Sequence, residues 1–309
     1  MKAHQEYLSF VGLGQMGQPM ATNLLQATKG EMDLCVFDQQ TERMTPLVEQ
    51  GAVGAARLGE VAQAGGIVFS MVPDDRILLQ IALGEGGILK QIAPGGIHVS
   101  CSTVSPSVSE QLAKLYQKQG CTYLAATVLG RPDVAEQGAL SIVLAGPHAA
   151  KQRVKPFLAC MGKRLYDLGE KVQVANVAKI ACNFLIAASI EAMGEAAALA
   201  DAYDLDRLRF FQIIRESPLF SGTIFKGYGS MIAERDFSDN RFPVPYGLKD
   251  VELAIQVAQQ CDLDLPYADV AFEHLLAAQD AGRGHEDWAV LSDFARLGTS
   301  TGLFDRERF

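Results

Sequence analysis

A short apolar run, Tyr7–Val11, passes directly into Gly12-Leu13-Gly14-Gln15-Met16-Gly17 and from there into a helical pattern over Pro19–Ala27. The three glycines permit a tight strand-to-helix turn, let the backbone approach a pyrophosphate, and let the helix pack on the strand, while the helix N-terminus offers free N–H groups and a positive dipole. The glycine pattern is weak evidence by itself, but a second apolar run, Leu34–Phe37, ends in Asp38, 21 residues after Gly17. A carboxylate at that spacing is placed to accept from both ribose hydroxyls of NAD and to repel the 2′-phosphate of NADP. The alternative use of Asp38 is to initiate a turn. Gly12, Leu13, Gly14, Gln15, Met16, Gly17 and Asp38 are therefore the candidate cofactor residues, with NAD expected and NADP possible.

Strand-like and helical stretches go on alternating: Ile67–Val72, a helix near Asp75–Leu83, Ile97–Cys101, a helix from Pro106 capped by Ser105, Tyr123–Ala125, Ser141–Leu144, a helix near Ala149–Cys160, and Arg164–Tyr166. This predicts an α/β chain with an N-terminal Rossmann-type doubly wound sheet over residues 1–168. Such sheets bind ligands beyond the carboxyl ends of their strands. That singles out Val72, Pro73, Ser102, Thr103, Gly130 and Arg131 beside the glycine turn. After Gly169 strand-like runs stop, and breaks at Ser217-Pro218, Gly222–Gly229, Phe242–Pro245 and Gly282–Gly284 predict about six helices, an all-α C-terminal domain over residues 169–309.

The two parts are joined by Asn176–Tyr203, a proline-free stretch of good helix formers, expected as one long central helix covered on all sides. Ala178, Cys182, Leu185, Ser189, Ala192 and Ala196 share one small, apolar face, which suggests a homodimer or homotetramer burying it. Lys179 breaks the pattern, with Asn183 one turn later on the same side. A desolvated lysine has a lowered pKa suited to proton transfer, whereas a lysine at a helix start also snorkels to solvent. In Leu248-Lys249-Asp250, read as a first helical turn, Lys249 opposes the helix dipole. An anionic partner or simple solvation accounts for it equally.

Composition narrows the function. A net charge of −9 argues against the basic face that nucleic acid needs, so no nucleic-acid partner is expected and an anionic substrate would have to be attracted locally. The six cysteines are scattered without CxxC and read as reduced core residues, and the five histidines show no metal spacing, so no metal is expected. Mean hydropathy is +0.10, no membrane span is needed, and the first residues lack a signal-peptide pattern, which predicts a cytoplasmic protein.

The stretches FVGLGQMGQPMATNLL at 10–25, MVPDD at 71–75, CSTVSP at 101–106, VLGRPDVAEQGALSIVLAG at 128–146, KIACN at 179–183 and FPVPYGLKDVELA at 242–254 resemble the β-hydroxyacid dehydrogenases. This family, within the 6-phosphogluconate dehydrogenase-like superfamily, includes 3-hydroxyisobutyrate dehydrogenase, tartronate semialdehyde reductase and glyoxylate/succinic semialdehyde reductase. The resemblance covers nearly the whole chain. It implies an NAD(P)-dependent hydride transfer between cofactor and a small β-hydroxyacid or semialdehyde, with Lys179 as catalytic acid/base and Asn183 beside it in the substrate site. It also implies that Val72, Pro73, Thr103 and Lys249 approach the cofactor and that Ser102 and the segment around Gly130 face the substrate. Departures lie at Leu129 and Arg131, where the family carries Ser and Gly, at Gln173-Val174-Ala175 in place of Gly-x-Gly, and at Asp74 in place of Asn. Two readings of Arg131 stand: a guanidinium that binds substrate carboxylate, or a residue that opens the helix at Pro132. Two rivals differ in class, an imine reductase-like enzyme and a non-catalytic nucleotide-binding interaction module. Lys179 weighs against the first, and Lys179 together with the intact glycine turn against the second.

Overall fold

The structure, a computed structural model, describes residues 7–62 and 66–295. Contacts divide the chain into two units, Met1–Lys179 and Ile180–Phe309, so that the first turns of the central helix go with the sheet. In the first unit the order is β1 Leu8–Val11, α1 Gly17–Thr28, β2 Leu34–Phe37, α2 Thr45–Val48, β3 Val53–Gly54, β4 Ile67–Ser70, α3 Asp75–Leu83, α4 Ile88–Gln91, β5 Ile97–Ser100, α5 Pro106–Lys118, β6 Thr122–Leu129, α6 Pro132–Glu136, β7 Leu140–Ala145, α7 His148–Met161 and β8 Gly162–Asp167. The central helix α8, Gln173–Ala202, follows, and then α9 Arg207–Glu216, α10 Thr223–Glu234, α11 Val244–Gln259 and α12 Pro266–Asp280.

The strands form one eight-stranded sheet in the order β3-β2-β1-β4-β5-β6-β7-β8. β1, β4 and β5 are buried at every position, the signature of parallel strands covered on both faces. Their helices begin where side chains supply caps. Asp74 accepts from Ile77 N–H at 2.8 Å to start α3, and Ser105 accepts from Val108 N–H at 3.3 Å ahead of Pro106 in α5. The sheet departs from an all-parallel winding at β7, which runs antiparallel to β6. The ten residues between Leu129 and Leu140 are too few for a parallel crossover, so the chain turns back on itself.

A buried polar chain crosses the middle of this unit. Ser70 Oγ lies 2.8 Å from His98 Nε2, and His98 Nδ1 lies 2.7 Å from the Tyr116 hydroxyl, with His98 fully buried. Burial lowers the His98 pKa to about 3. Below pH ~6.5 the unfolded chain therefore gains a proton that the folded chain refuses until about pH 3. Stability from this group is complete above ~6.5 and falls by roughly 1.4 kcal/mol per pH unit on acidification. His98→Asn is expected to lower stability at pH 8 yet flatten the loss between pH 8 and 5.5, read from urea unfolding midpoints. Equal pH slopes in the two proteins would refute the assignment.

In the second unit α8 packs Ala187, Ile190, Met193 and Ala197 into one core with Phe211, Tyr228, Val251, Leu275 and Trp288. Glu191 is drawn into this core by His274, whose Nδ1 is 2.9 Å from the carboxylate. Among the described residues α8 is the one helix long and apolar enough, by length and composition, to cross a membrane, but its Ala187, Ile190, Met193 and Ala197 serve this helical core. Beyond that core the helix is not covered by its own chain, so full cover would need a second copy. Leu185 is 59% and Leu199 64% exposed, because α9–α12 cover one face only. Of the cysteines, Cys35, Cys101 and Cys121 are buried, Cys160 and Cys182 half-buried and Cys261, in the turn after α11, exposed, so the last does not belong to a core.

Candidate active site

The carboxyl edge of the sheet is built by its loops on one another. Gly12 has φ +90°, and a Cβ there would stand 2.3 Å from Met71 O, so the end of β4 presses against the glycine turn. A Cβ on Gly17 would stand 1.9 Å from Gly12 O, which closes the turn onto α1. Gly14 differs: the nearest atom to a Cβ is Arg43 Nη1 at 4.0 Å. The middle glycine thus leaves an open cradle at a helix N-terminus, which is the form a dinucleotide pyrophosphate requires.

Asp38 is aimed at the same turn. Its Oδ2 accepts from Leu13 N–H at 2.7 Å and its Oδ1 from Gln40 N–H at 2.8 Å. A carboxylate has about four acceptor sites, so each oxygen retains capacity for a ribose hydroxyl. Arg43 Nη1 stands 3.8 Å from Asp38 Oδ2 and tempers the negative charge there. These residues fit a nicotinamide dinucleotide.

Along the edge, Val72 is buried and Pro73 exposed, and Thr103 is half-buried. Ser102, expected against substrate, is fully buried, and its hydroxyl accepts from Val72 N–H at 2.8 Å. Its visible task is to hold the end of β4 in place. Asp75 acts likewise, with Oδ1 accepting from Ser105 N–H at 2.8 Å. Leu129 closes β6 half-buried. Gly130 follows at φ +143°, a conformation that suits glycine, and is exposed. Arg131 is the N-cap position of α6 with Pro132 behind it, half-buried. Asp74 is a helix cap.

Lys179 is half-buried in the second turn of α8. Thr127 Oγ1 donates to Ala175 O at 3.0 Å, which ties the turn before Lys179 to β6 two residues from its end. In the helical unit, the Asn183 side-chain nitrogen donates to Asp250 Oδ2, and Lys249 Nζ lies 2.7 Å from Asp250 Oδ1 as an ion pair. Lys249 sits in the second turn of α11, which begins at Val244, so it does not oppose a first-turn dipole as expected. Its charge is balanced by Asp250, a residue with no visible sequence signal beyond standing next to Lys249. Asp250 is 4% exposed, and the Lys249–Asp250–Asn183 relay is a product of the fold. Among the described residues no three His, Cys, Asp or Glu side chains gather as a metal site.

A mostly parallel sheet with an open glycine cradle and a carboxylate at the end of β2 defines a dinucleotide-binding protein of the Rossmann class. Residues 7–169 match the family model described as the NAD binding domain of 6-phosphogluconate dehydrogenase, and residues 174–293 match that described as NAD-binding of NADP-dependent 3-hydroxyisobutyrate dehydrogenase. The chain is 38% identical over 284 residues to the uncharacterized oxidoreductase YfjR of Bacillus subtilis, covering 92% of this chain and 98% of that one. It is 30% identical over 284 residues to 3-hydroxyisobutyrate dehydrogenase of Pseudomonas aeruginosa, covering 90% and 94%. A solved 3-hydroxyisobutyrate dehydrogenase from Salmonella typhimurium shares the fold at TM-score 0.81 and 24% identity, covering 93% of this chain and 99% of that one. The chain belongs to the β-hydroxyacid dehydrogenase family of NAD(P)-dependent oxidoreductases.

Proposed function

We propose that this protein interconverts a small β-hydroxyacid and its semialdehyde, with Lys179 as general acid/base and NAD as the preferred cofactor. The observation that carries the reading is the tie from Thr127 to Ala175, which anchors the turn before Lys179 on the strand that ends at Leu129 and leads into Gly130. When bound, the nicotinamide supplies the hydride chemistry. In oxidation neutral Lys179 takes the hydroxyl proton, and in reduction its ammonium returns that proton to the carbonyl oxygen. Asn183, steadied by Asp250, lies one turn further along α8 to orient substrate or lysine. Ser102 acts indirectly, by holding Val72 and Pro73 where the cofactor passes. Arg131 and Leu129 replace smaller family residues and favour an acid bulkier or more charged than 3-hydroxyisobutyrate, received at Gly130. The family resemblance reads Lys249, whose charge is shared with Asp250, as a cofactor residue. The exposed apolar face of α8 is read as the surface buried by a second copy, and the compartment as the cytoplasm.

A panel of 3-hydroxyisobutyrate, longer β-hydroxyacids, semialdehydes, glyoxylate and cyclic imines, each with NAD(H) and NADP(H), tests the reading. Turnover of an acid or its semialdehyde with kcat/KM at least about tenfold higher for NAD(H) is expected from Asp38 against a 2′-phosphate. The same preparation should run at twice the 33.3 kDa chain mass or more. Turnover confined to imines would overturn the reaction assignment, and a clear NADP(H) preference would overturn the role of Asp38.

A further inference from the structure

We propose that Asn176 is a positioning residue that holds the Lys179 amine, an inference that rests on the acid/base role of Lys179 proposed above. Asn176 lies in the first turn of α8 and is 1% exposed. Neither its amide oxygen nor its amide nitrogen has a hydrogen-bond partner, and both atoms are buried. The surroundings of Asn176 are largely apolar. Val172 and Ala175 belong to the core, Val174 and Ala178 pack on it, and the Ala175 carbonyl is taken by Thr127. A buried carboxamide with two unmet atoms costs free energy that an apolar side chain of similar size avoids. Its presence at this position is explained by a partner that engages it during turnover.

Helix geometry names that partner. Residues three apart are neighbours on one face, and helical side chains lean back toward the N-terminus, so the long side chain of Lys179 is within reach of the turn that carries Asn176. On the other side of the lysine, the Asn183 nitrogen is engaged by Asp250. Asn176 Oδ1 is an acceptor that an amine N–H can reach in either protonation state. Fixing one N–H there turns the remaining N–H or the lone pair toward the reacting oxygen of substrate. No covalent step is added, because the residue acts through lysine geometry.

The test is a double-mutant cycle of Asn176→Leu and Lys179→Met in the full chain, with NAD and the acid turned over fastest in the panel, together with thermal unfolding of each protein. Asn176→Leu should unfold at the same or a higher temperature, since it removes two unmet polar atoms. Asn176→Ala serves if leucine is not accommodated. In the Lys179 protein the substitution should lower kcat roughly ten- to hundredfold, as a misplaced catalytic group does. In the Lys179→Met background it should change kcat less than about twofold, since the lysine it positions is gone. An equal fall in both backgrounds, or a marked loss of thermal stability, shows a structural residue and overturns the proposal. Unchanged turnover in Lys179→Met alone is a separate result, which removes the lysine reading itself.

Discussion

Lys179→Met is expected to lower kcat by roughly 10²–10⁴-fold, the range in which general acid–base catalysis operates, while the Kd for NAD stays within about twofold. The methionine keeps the unbranched stem and removes the amine, so packing in the second turn of α8 is retained. Two features make the effect specific. The preceding turn is tied to β6 by Thr127, so the backbone beneath Lys179 does not depend on its side chain. The cofactor cradle is formed by Gly12–Gly17 and Asp38, on strands that the lysine does not hold. A fall in kcat with cofactor binding preserved therefore reports a lost proton transfer and not a damaged site. A kcat within a few fold of the parent would end the assignment, and tenfold weaker NAD binding would show that the lysine serves the cofactor.

The second large effect separates the glycines. Gly17→Ala would place a Cβ 1.9 Å from Gly12 O, backbone against backbone, with Phe10 3.3 Å away. Neither side can yield without moving α1 from β1. We expect about 1–3 kcal/mol or more of lost stability and loss of NAD binding together. Gly14→Ala meets nothing nearer than the flexible end of Arg43 at 4.0 Å, so stability should change by less than about 0.5 kcal/mol. Yet the new methyl fills the cradle, and the Kd for NAD should rise at least about tenfold. Calorimetric melting and NADH fluorescence titration of the two variants give the contrast. Normal NAD binding by Gly14→Ala would mean that the pyrophosphate does not cross that glycine.

Some of this was legible in the chain because it depends on neighbours in sequence. Glycine spacing, the cap at Ser105 and the apolar runs of β1, β2, β4 and β5 are local properties, and backbone sterics and short-range burial decide them in the same way in any surroundings. Residues 34–37 and 75–83 have the predicted ends for that reason. The reversal at β7 was implicit in a connection ten residues long, but alternating strands and helices read as parallel until pairing is known. What only tertiary structure decided is who meets whom across long separations. Ser102 turned its hydroxyl to Val72, Asp250 took up both Asn183 and Lys249, Asn176 was buried without a partner, and α8 left Leu185 and Leu199 outside the helical core. The physical reason is that hydrogen bonds and burial are satisfied by whichever group arrives within about 3 Å, and that choice belongs to the packed chain, since a residue's own type and immediate neighbours specify what it needs but not what supplies it.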